Sequence, residues 1–158
     1  GGSSAGGNLA AVTCLAARER GGPRLAYQVL IVPVTDHDFG TASYRDNGAG
    51  YGLTADAMRW FWEHYAPDRA RRDEPYASPL RANDLSGLPA ALVVTAECDP
   101  LRDEGKAYAE RLIEAGVPTT YIEYAGMVHG FMSMAAVIPT GRRAIDEIAA
   151  ALRRALGA

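Results

Sequence analysis

The sequence predicts an α/β fold in which buried parallel strands are covered by helices. Three observations point there. The 158 residues are 48% hydrophobic and 22% charged, the composition of one globular domain. Short β-branched apolar runs occur, of the kind that parallel strands buried on both faces require. Between them lie segments of helical period, closed by glycine and proline.

The elements follow in order. A first helix is expected from Ala5 to about Arg20, with Leu9, Val12, Thr13 and Ala16 at helical spacing, and Gly21-Gly22-Pro23 ends it. Ala26 to Val32 reads as a strand and stops at Pro33. Residues 35–88 form a long insert, the place where such a fold puts a lid or a substrate loop. Within it, Leu53 to Tyr65 reads as a helix capped by Thr54, with Met58, Trp60, Phe61, Trp62 and Tyr65 all needing apolar cover. Ala91 to Ala96 is a second buried strand. A helix opened by Asp99-Pro100 carries Leu101, Tyr108, Leu112 and Ala115 on one face and closes at Gly116 and Pro118. Thr119 to Tyr124 is a third strand. Pro139 to Leu156 is the last helix, with Ile145, Ile148, Ala149, Leu152 and Leu156 as its expected buried stripe. This is half of an open parallel sheet, without internal repeats.

Composition also excludes function classes. Sixteen Lys and Arg against nineteen Asp and Glu leave a net charge of −3, which favours neither a nucleic-acid backbone nor an acidic membrane surface. No apolar run is long enough to span a bilayer. The two cysteines, Cys14 and Cys98, lack metal-ligand spacing and read as small reduced hydrophobes, which leans towards a cytoplasmic setting.

In open parallel sheets the working residues sit just past the carboxyl ends of the strands. Gly2-Ser3-Ser4-Ala5-Gly6 is a G-x-S-x-G, in which a sharp strand-to-helix turn presents the Ser4 hydroxyl and the Ala5 N–H faces a developing oxyanion. A flexible linker remnant also explains Gly1 to Ser4, but not a helix starting at the right place. Asp99 follows the second strand, either as an orienting carboxylate or as a cap for the next helix. Of the three histidines, His64 lies in the aromatic helix, His37 follows the first strand and His129 follows the third, beside Gly130. Ser4, Asp99 and His129 together give the order Ser…Asp…His, with a long first gap and a short second one.

With those residues in view, the sequence resembles the bacterial hormone-sensitive lipase family of α/β-hydrolase esterases. The carrying segments are Gly2 to Ala10, Tyr76-Ala77-Ser78-Pro79-Leu80, Asp99 to Gly105 and Gly126-Met127-Val128-His129-Gly130-Phe131, in the family's order and approximate spacing. The resemblance implies Ser4 as nucleophile, Asp99 as acid and His129 as base, demotes His37, and implies no metal or organic cofactor. Ser3 departs from the Asp or Thr usual at its place. Family members carry about half of their domain before the nucleophile, including a cap segment, several strands and a His-Gly-Gly-Gly oxyanion loop. The resemblance therefore implies that residues 1–158 are the C-terminal half of an α/β-hydrolase fold. The elbow strand and the upstream half would then be absent, or supplied by a companion chain. It also implies hydrolysis of short- to medium-chain esters, with an amidase or deacetylase using the same triad as the alternative reaction. A non-catalytic fragment or ligand-binding pseudoenzyme keeps the fold without the chemistry. Phe39, Trp60, Trp62, Met127 and Phe131 are candidate pocket walls, with plain core packing as the competing role of the tryptophans. Activity is expected to rise with pH as His129 loses its proton.

Overall fold

The computed structural model describes residues 1–157. Four strands form one parallel sheet in the order β1 (Gly2–Ser3), β2 (Gln28–Ile31), β3 (Ala91–Cys98), β4 (Thr119–Val128). Five helices accompany them: α1 (Ala5–Glu19), α2 (Ala42–Asn47), α3 (Ala55–Tyr65), α4 (Arg102–Glu114) and α5 (Pro139–Leu156). Short 3-10 turns span Arg69–Asp73, Pro79–Arg81 and Phe131–Met134. Among the described residues no helix is long and apolar enough to cross a membrane.

Each central strand is buried on both faces, as its apolar run requires. Leu30 and Val93 point with Ala11, Leu15, Tyr108 and Leu112 into the layer under α1 and α4. Their neighbours Val29, Leu92 and Val94 point the other way, against Phe131, Ala144 and Ile148 beneath α5. A third apolar cluster, with Tyr44, Met58, Trp62 and Leu101, is built by the insert. Thr41 and Thr54 start α2 and α3 by accepting the Tyr44 and Ala57 N–H groups.

The structure corrects the sequence reading in several places. A strand does feed the serine: Gly2 and Ser3 pair with Leu30 and Ile31, so the sheet has four strands rather than three. A two-residue stub carries too little pattern to be read from sequence. β4 runs on to Val128, because a bulge between Ala96 and Cys98 lets the two strands stay paired up to Cys98 and Val128. Helix α2 lies where a loop was expected. On α3, Met58 and Trp62 are buried, while Trp60, Phe61 and Tyr65 stay exposed in this chain. On α5 the buried face is Gly141, Ala144, Ile148 and Ala151, whereas Ile145 and Leu156 face solvent. Small residues decide that rotation: a Cβ at Gly141 would stand 2.8 Å from the Phe131 carbonyl oxygen, so the helix comes closest on its small side.

Candidate active site

β1 stops at Ser3 and α1 starts at Ala5, so the chain reverses at Ser4 alone. Ser4 has φ 56° and ψ −120°, a conformation that costs a non-glycine residue about 1–3 kcal/mol. Backbone bonds on both sides hold it there. Its N–H donates to Ile31 O at 2.8 Å, and its carbonyl accepts from Asn8 N at 3.1 Å and Val34 N at 3.3 Å. Gly2 is the residue that the turn demands, since a Cβ there would lie 2.3 Å from the Gly6 carbonyl oxygen. A Cβ at Gly6 itself would meet nothing within 4 Å. The tightness therefore comes from Gly2 passing over the backbone of Gly6. Ala5 opens α1, so its N–H has no acceptor within the helix.

Asp99 leaves the end of β3 fully buried. Its Oδ1 accepts the Leu101 N–H at 2.9 Å, and its Oδ2 lies 2.7 Å from His129 Nδ1. The N-cap of α4 is Leu101, without a side-chain cap bond, so Oδ1 closes the turn that leads into the helix rather than capping it, and Oδ2 faces His129. His129 follows β4, its ring mostly buried, and its Nε2 lies 3.0 Å from Ser4 Oγ. A carboxylate only accepts, so Nδ1–H donates to Asp99 and the neutral ring accepts the Ser4 hydroxyl at Nε2. Ser4, Asp99 and His129 form one hydrogen-bonded run across the tops of three strands.

His37 belongs elsewhere. Its Nδ1 lies 3.3 Å from Ser78 Oγ, its ring meets Trp62 edge-on, and Arg81 joins the neighbouring Asp36 and Asp73. His64 is exposed on α3 with its ring over Trp60. Ser78, in the turn of residues 76–80, is buried, and Ala77 O accepts from Asn8 Nδ2 at 2.9 Å, so that segment is structural.

A cavity of about 490 Å³ opens beside Ser4 and Ala5, walled mainly by Met58, Phe61, Trp62 and Tyr65 of α3. Of the five candidate wall residues, only Trp62 lines it. Phe39 packs edge-on against Tyr44. Trp60, two positions before Trp62, is on the far side of α3. Met127 packs against the apolar layer beneath α5. Phe131, only 1% exposed, is stacked near Tyr124 and borders a different cavity beside Ser3. From α3 the cavity is lined by Met58, Phe61, Trp62, His64 and Tyr65, of which 58, 61, 62 and 65 follow the i, i+3, i+4, i+7 pattern present in the sequence. Sequence reading assigned no positions to Asn8, Ser43, Asn47 and Glu104, all buried polar residues around this site. Asn8 and Glu104 lie inside the segments that carry the resemblance, whereas Ser43 and Asn47 are set apart only by burial, which is a tertiary property.

Glu104 is 2% exposed, with Oε1 accepting the Thr35 N–H at 2.8 Å and the Asp36 N–H at 3.3 Å. Burial pushes its carboxyl well above the usual glutamate range, the two N–H bonds pull it back, and the charges of Asp36 and Asp99 push it up again. With the folded value raised, the folded chain holds the proton that the unfolded chain releases from about pH 4.3 upward, so stability falls as pH rises through that window. A Glu104→Gln variant is expected to lose this fall. Thermal melts of both proteins between about pH 5 and about pH 8 check it, and parallel pH dependences would contradict it. Burial also pushes the Cys14 thiol up to about 11, which leaves it an unreactive core side chain. Among the described residues no group of three or more His, Cys, Asp or Glu side chains is placed to share a metal ion.

Residues 1–133 match a family model described as alpha/beta hydrolase fold. The chain is 41% identical over 160 residues to carboxylesterase NlhH of Mycobacterium tuberculosis, covering 99% of this chain and 50% of that protein. It is 39% identical over 158 residues to an ethyl acetate hydrolase of Pseudomonas putida, covering 98% and 49%. A thermophilic, thermostable carboxylesterase cloned from a metagenomic library superposes with a TM-score of 0.93 at 44% identity, over 98% of this chain and 53% of that one. A fungal esterase from Rhizomucor miehei superposes with a TM-score of 0.94 at 48% identity, over 98% and 49%. The chain spans about half the length of these relatives.

Proposed function

We propose that this chain, which belongs to the α/β-hydrolase family in its hormone-sensitive lipase-like branch, carries the catalytic triad of a carboxylic-ester hydrolase. The observation that carries the proposal is the run Ser4 Oγ, His129 Nε2 at 3.0 Å, His129 Nδ1, Asp99 Oδ2 at 2.7 Å, at the mouth of an apolar cavity. Ser4 Oγ attacks the ester carbonyl while its proton passes to His129 Nε2. Asp99 holds the imidazole in the tautomer that can take it, and stabilises the ring once charged. The alcohol leaves with that proton. Water then attacks the acyl-enzyme, giving its proton to the same nitrogen, and the acid departs as Ser4 is regenerated.

The Ala5 N–H is one oxyanion donor. The chain spans about half the length of its relatives, and on the resemblance to the family the remaining donors, a cap segment and a strand beyond β1 are proposed to lie outside residues 1–158. One absent donor lowers the rate about 100- to 1000-fold, so residues 1–158 alone are expected to be much slower than the full-length protein. The cavity wall from α3 and the similarity to a carboxylesterase and an ethyl acetate hydrolase support small, uncharged esters with short to medium acyl chains. Two free cysteines fit a cytoplasmic setting.

A fluorophosphonate probe tests the proposal. Intact-mass and peptide analysis of the full-length protein should find one adduct, on Ser4, together with loss of aryl-ester hydrolysis. A full-length protein that hydrolyses the ester yet labels elsewhere, or that neither labels nor hydrolyses, would overturn it.

A further inference from the structure

We infer that Ser43 and Asn47, on the short helix α2, are positioning residues for Asp99. The inference rests on the triad reading and extends it to the part of the insert that no motif marked. Asp99 sits on an awkward piece of chain. β3 ends at Cys98 after a bulge and α4 begins at Arg102, so the residues between have no strand partner and only a turn of their own, with Arg102 N donating to Asp99 O at 3.1 Å and Gly105 N to Leu101 O at 3.1 Å. Pro100 has no N–H to contribute. α2 takes up the Pro100 carbonyl and shares those of Glu97 and Asp99 with Arg102, whose Nη1 donates to Glu97 O at 3.2 Å. Ser43 Oγ donates to Pro100 O at 2.7 Å. Asn47 Nδ2 donates to Glu97 O at 3.1 Å and lies 3.5 Å from Asp99 O. The Ser43 N–H donates to Asp103 Oδ2 at 2.7 Å, which fastens the first turn of α4 to the same helix.

Ser43 and Asn47 are four residues apart, so both reach the acid loop from one face of α2. Ser43 is 0% exposed and Asn47 7% exposed, and Asp99 and Pro100 are buried, so water offers the Pro100 and Asp99 carbonyls little in exchange, whereas Glu97 is exposed. The consequence for Asp99 is geometric: with backbone on both sides of it tied down, its Oδ2 stays at hydrogen-bond distance from His129. α2 is also continuous with the cavity wall. Ala55 N donates to Gly48 O at 2.9 Å where α3 follows α2, and Tyr44 packs in one cluster with Met58 and Trp62. The acid loop and the wall of the substrate cavity thus share one support.

The test uses the full-length protein and the variants Ser43→Ala and Asn47→Ala, each a small deletion, with Ser4→Ala as reference. Three quantities are read: kcat and KM for an aryl ester, the thermal midpoint, and the far-downfield proton resonance of the His129–Asp99 hydrogen bond. The expected result is a kcat loss of about 10- to 100-fold at nearly unchanged KM in folded protein, with that resonance shifted or broadened. If one variant does not fold, the other decides. A loss of both folds makes the pair structural only and overturns the inference. So does a kcat within about twofold of the parent, or a loss of stability with the resonance unmoved. Failure of the triad reading looks different: Ser4→Ala would then hydrolyse the ester as fast as the parent.

Discussion

Ser4→Ala in the full-length protein is expected to lower kcat for an aryl ester about 10⁶-fold while leaving KM within a small factor. On the proposed mechanism Oγ is the atom that forms the acyl-enzyme, and it is the hydrogen-bond partner of His129 Nε2 at 3.0 Å. Without it the imidazole has nothing to deprotonate, and no covalent route remains. Substrate binding is little disturbed, because the cavity wall is built from α3 rather than from the hydroxyl. Residual activity reflects only binding and the oxyanion donors. Since the three residues act as a unit, adding His129→Ala to Ser4→Ala should cost almost nothing more. Steady-state kinetics of the two single variants and the double variant decide this. A Ser4→Ala protein retaining a tenth of parental activity would show that the bond is broken by another nucleophile.

The second large effect is expected from Asp99→Asn, a loss of about 10⁴-fold in kcat with little loss of stability. The direction follows from the hydrogen bonds. Oδ1 of Asp99 accepts the Leu101 N–H, so an asparagine would keep its carbonyl oxygen there and turn its amide nitrogen towards His129. That nitrogen donates, so His129 Nδ1 would have to accept and the ring proton would move to Nε2. An Nε2–H cannot take the proton of Ser4. The variant keeps every distance and reverses the polarity of the run. Its pH–rate profile, set beside that of Asp99→Ala, checks the argument. A loss under about tenfold would mean that Asp99 serves the turn before α4 and little else.

Much of this was readable before any coordinates. The buried runs at Val29 to Ile31 and Leu92 to Ala96 could only be parallel strands, because apolar side chains point to both faces of the sheet. Helix ends were marked by residues with local chemical reasons to stop a helix, such as Gly21 at φ 61° and Gly116 at φ 76°. The faces of the helices were harder to read. Periodicity on α5 suggested Ile145 and Leu156 as core, yet close approach on the side of Gly141 and Ala144 turned them outward. The wall of the cavity followed the i, i+3, i+4 rule on α3, while Phe131 looked equally suited and lies under the sheet instead.

The sequence by itself determined the family and most of the order of elements, and it offered Ser4, Asp99, His37 and His129 as candidates, because each of these is local chemistry: a glycine-flanked turn, a carboxylate or an imidazole at a strand end. The resemblance favoured His129 over His37, and only the tertiary structure shows the distances: His129 Nε2 lies 3.0 Å from Ser4 Oγ, whereas His37 Nδ1 lies against Ser78. Both follow strands, and the distance from each to Ser4 depends on the register of the sheet and on the bulge at Ala96 and Cys98. It alone placed Ser43 and Asn47 against the acid loop, since hydrogen bonds spanning 50 to 57 residues leave no periodic trace in a sequence. Local rules write themselves into neighbouring residues. Long-range contacts exist only once the backbone has closed.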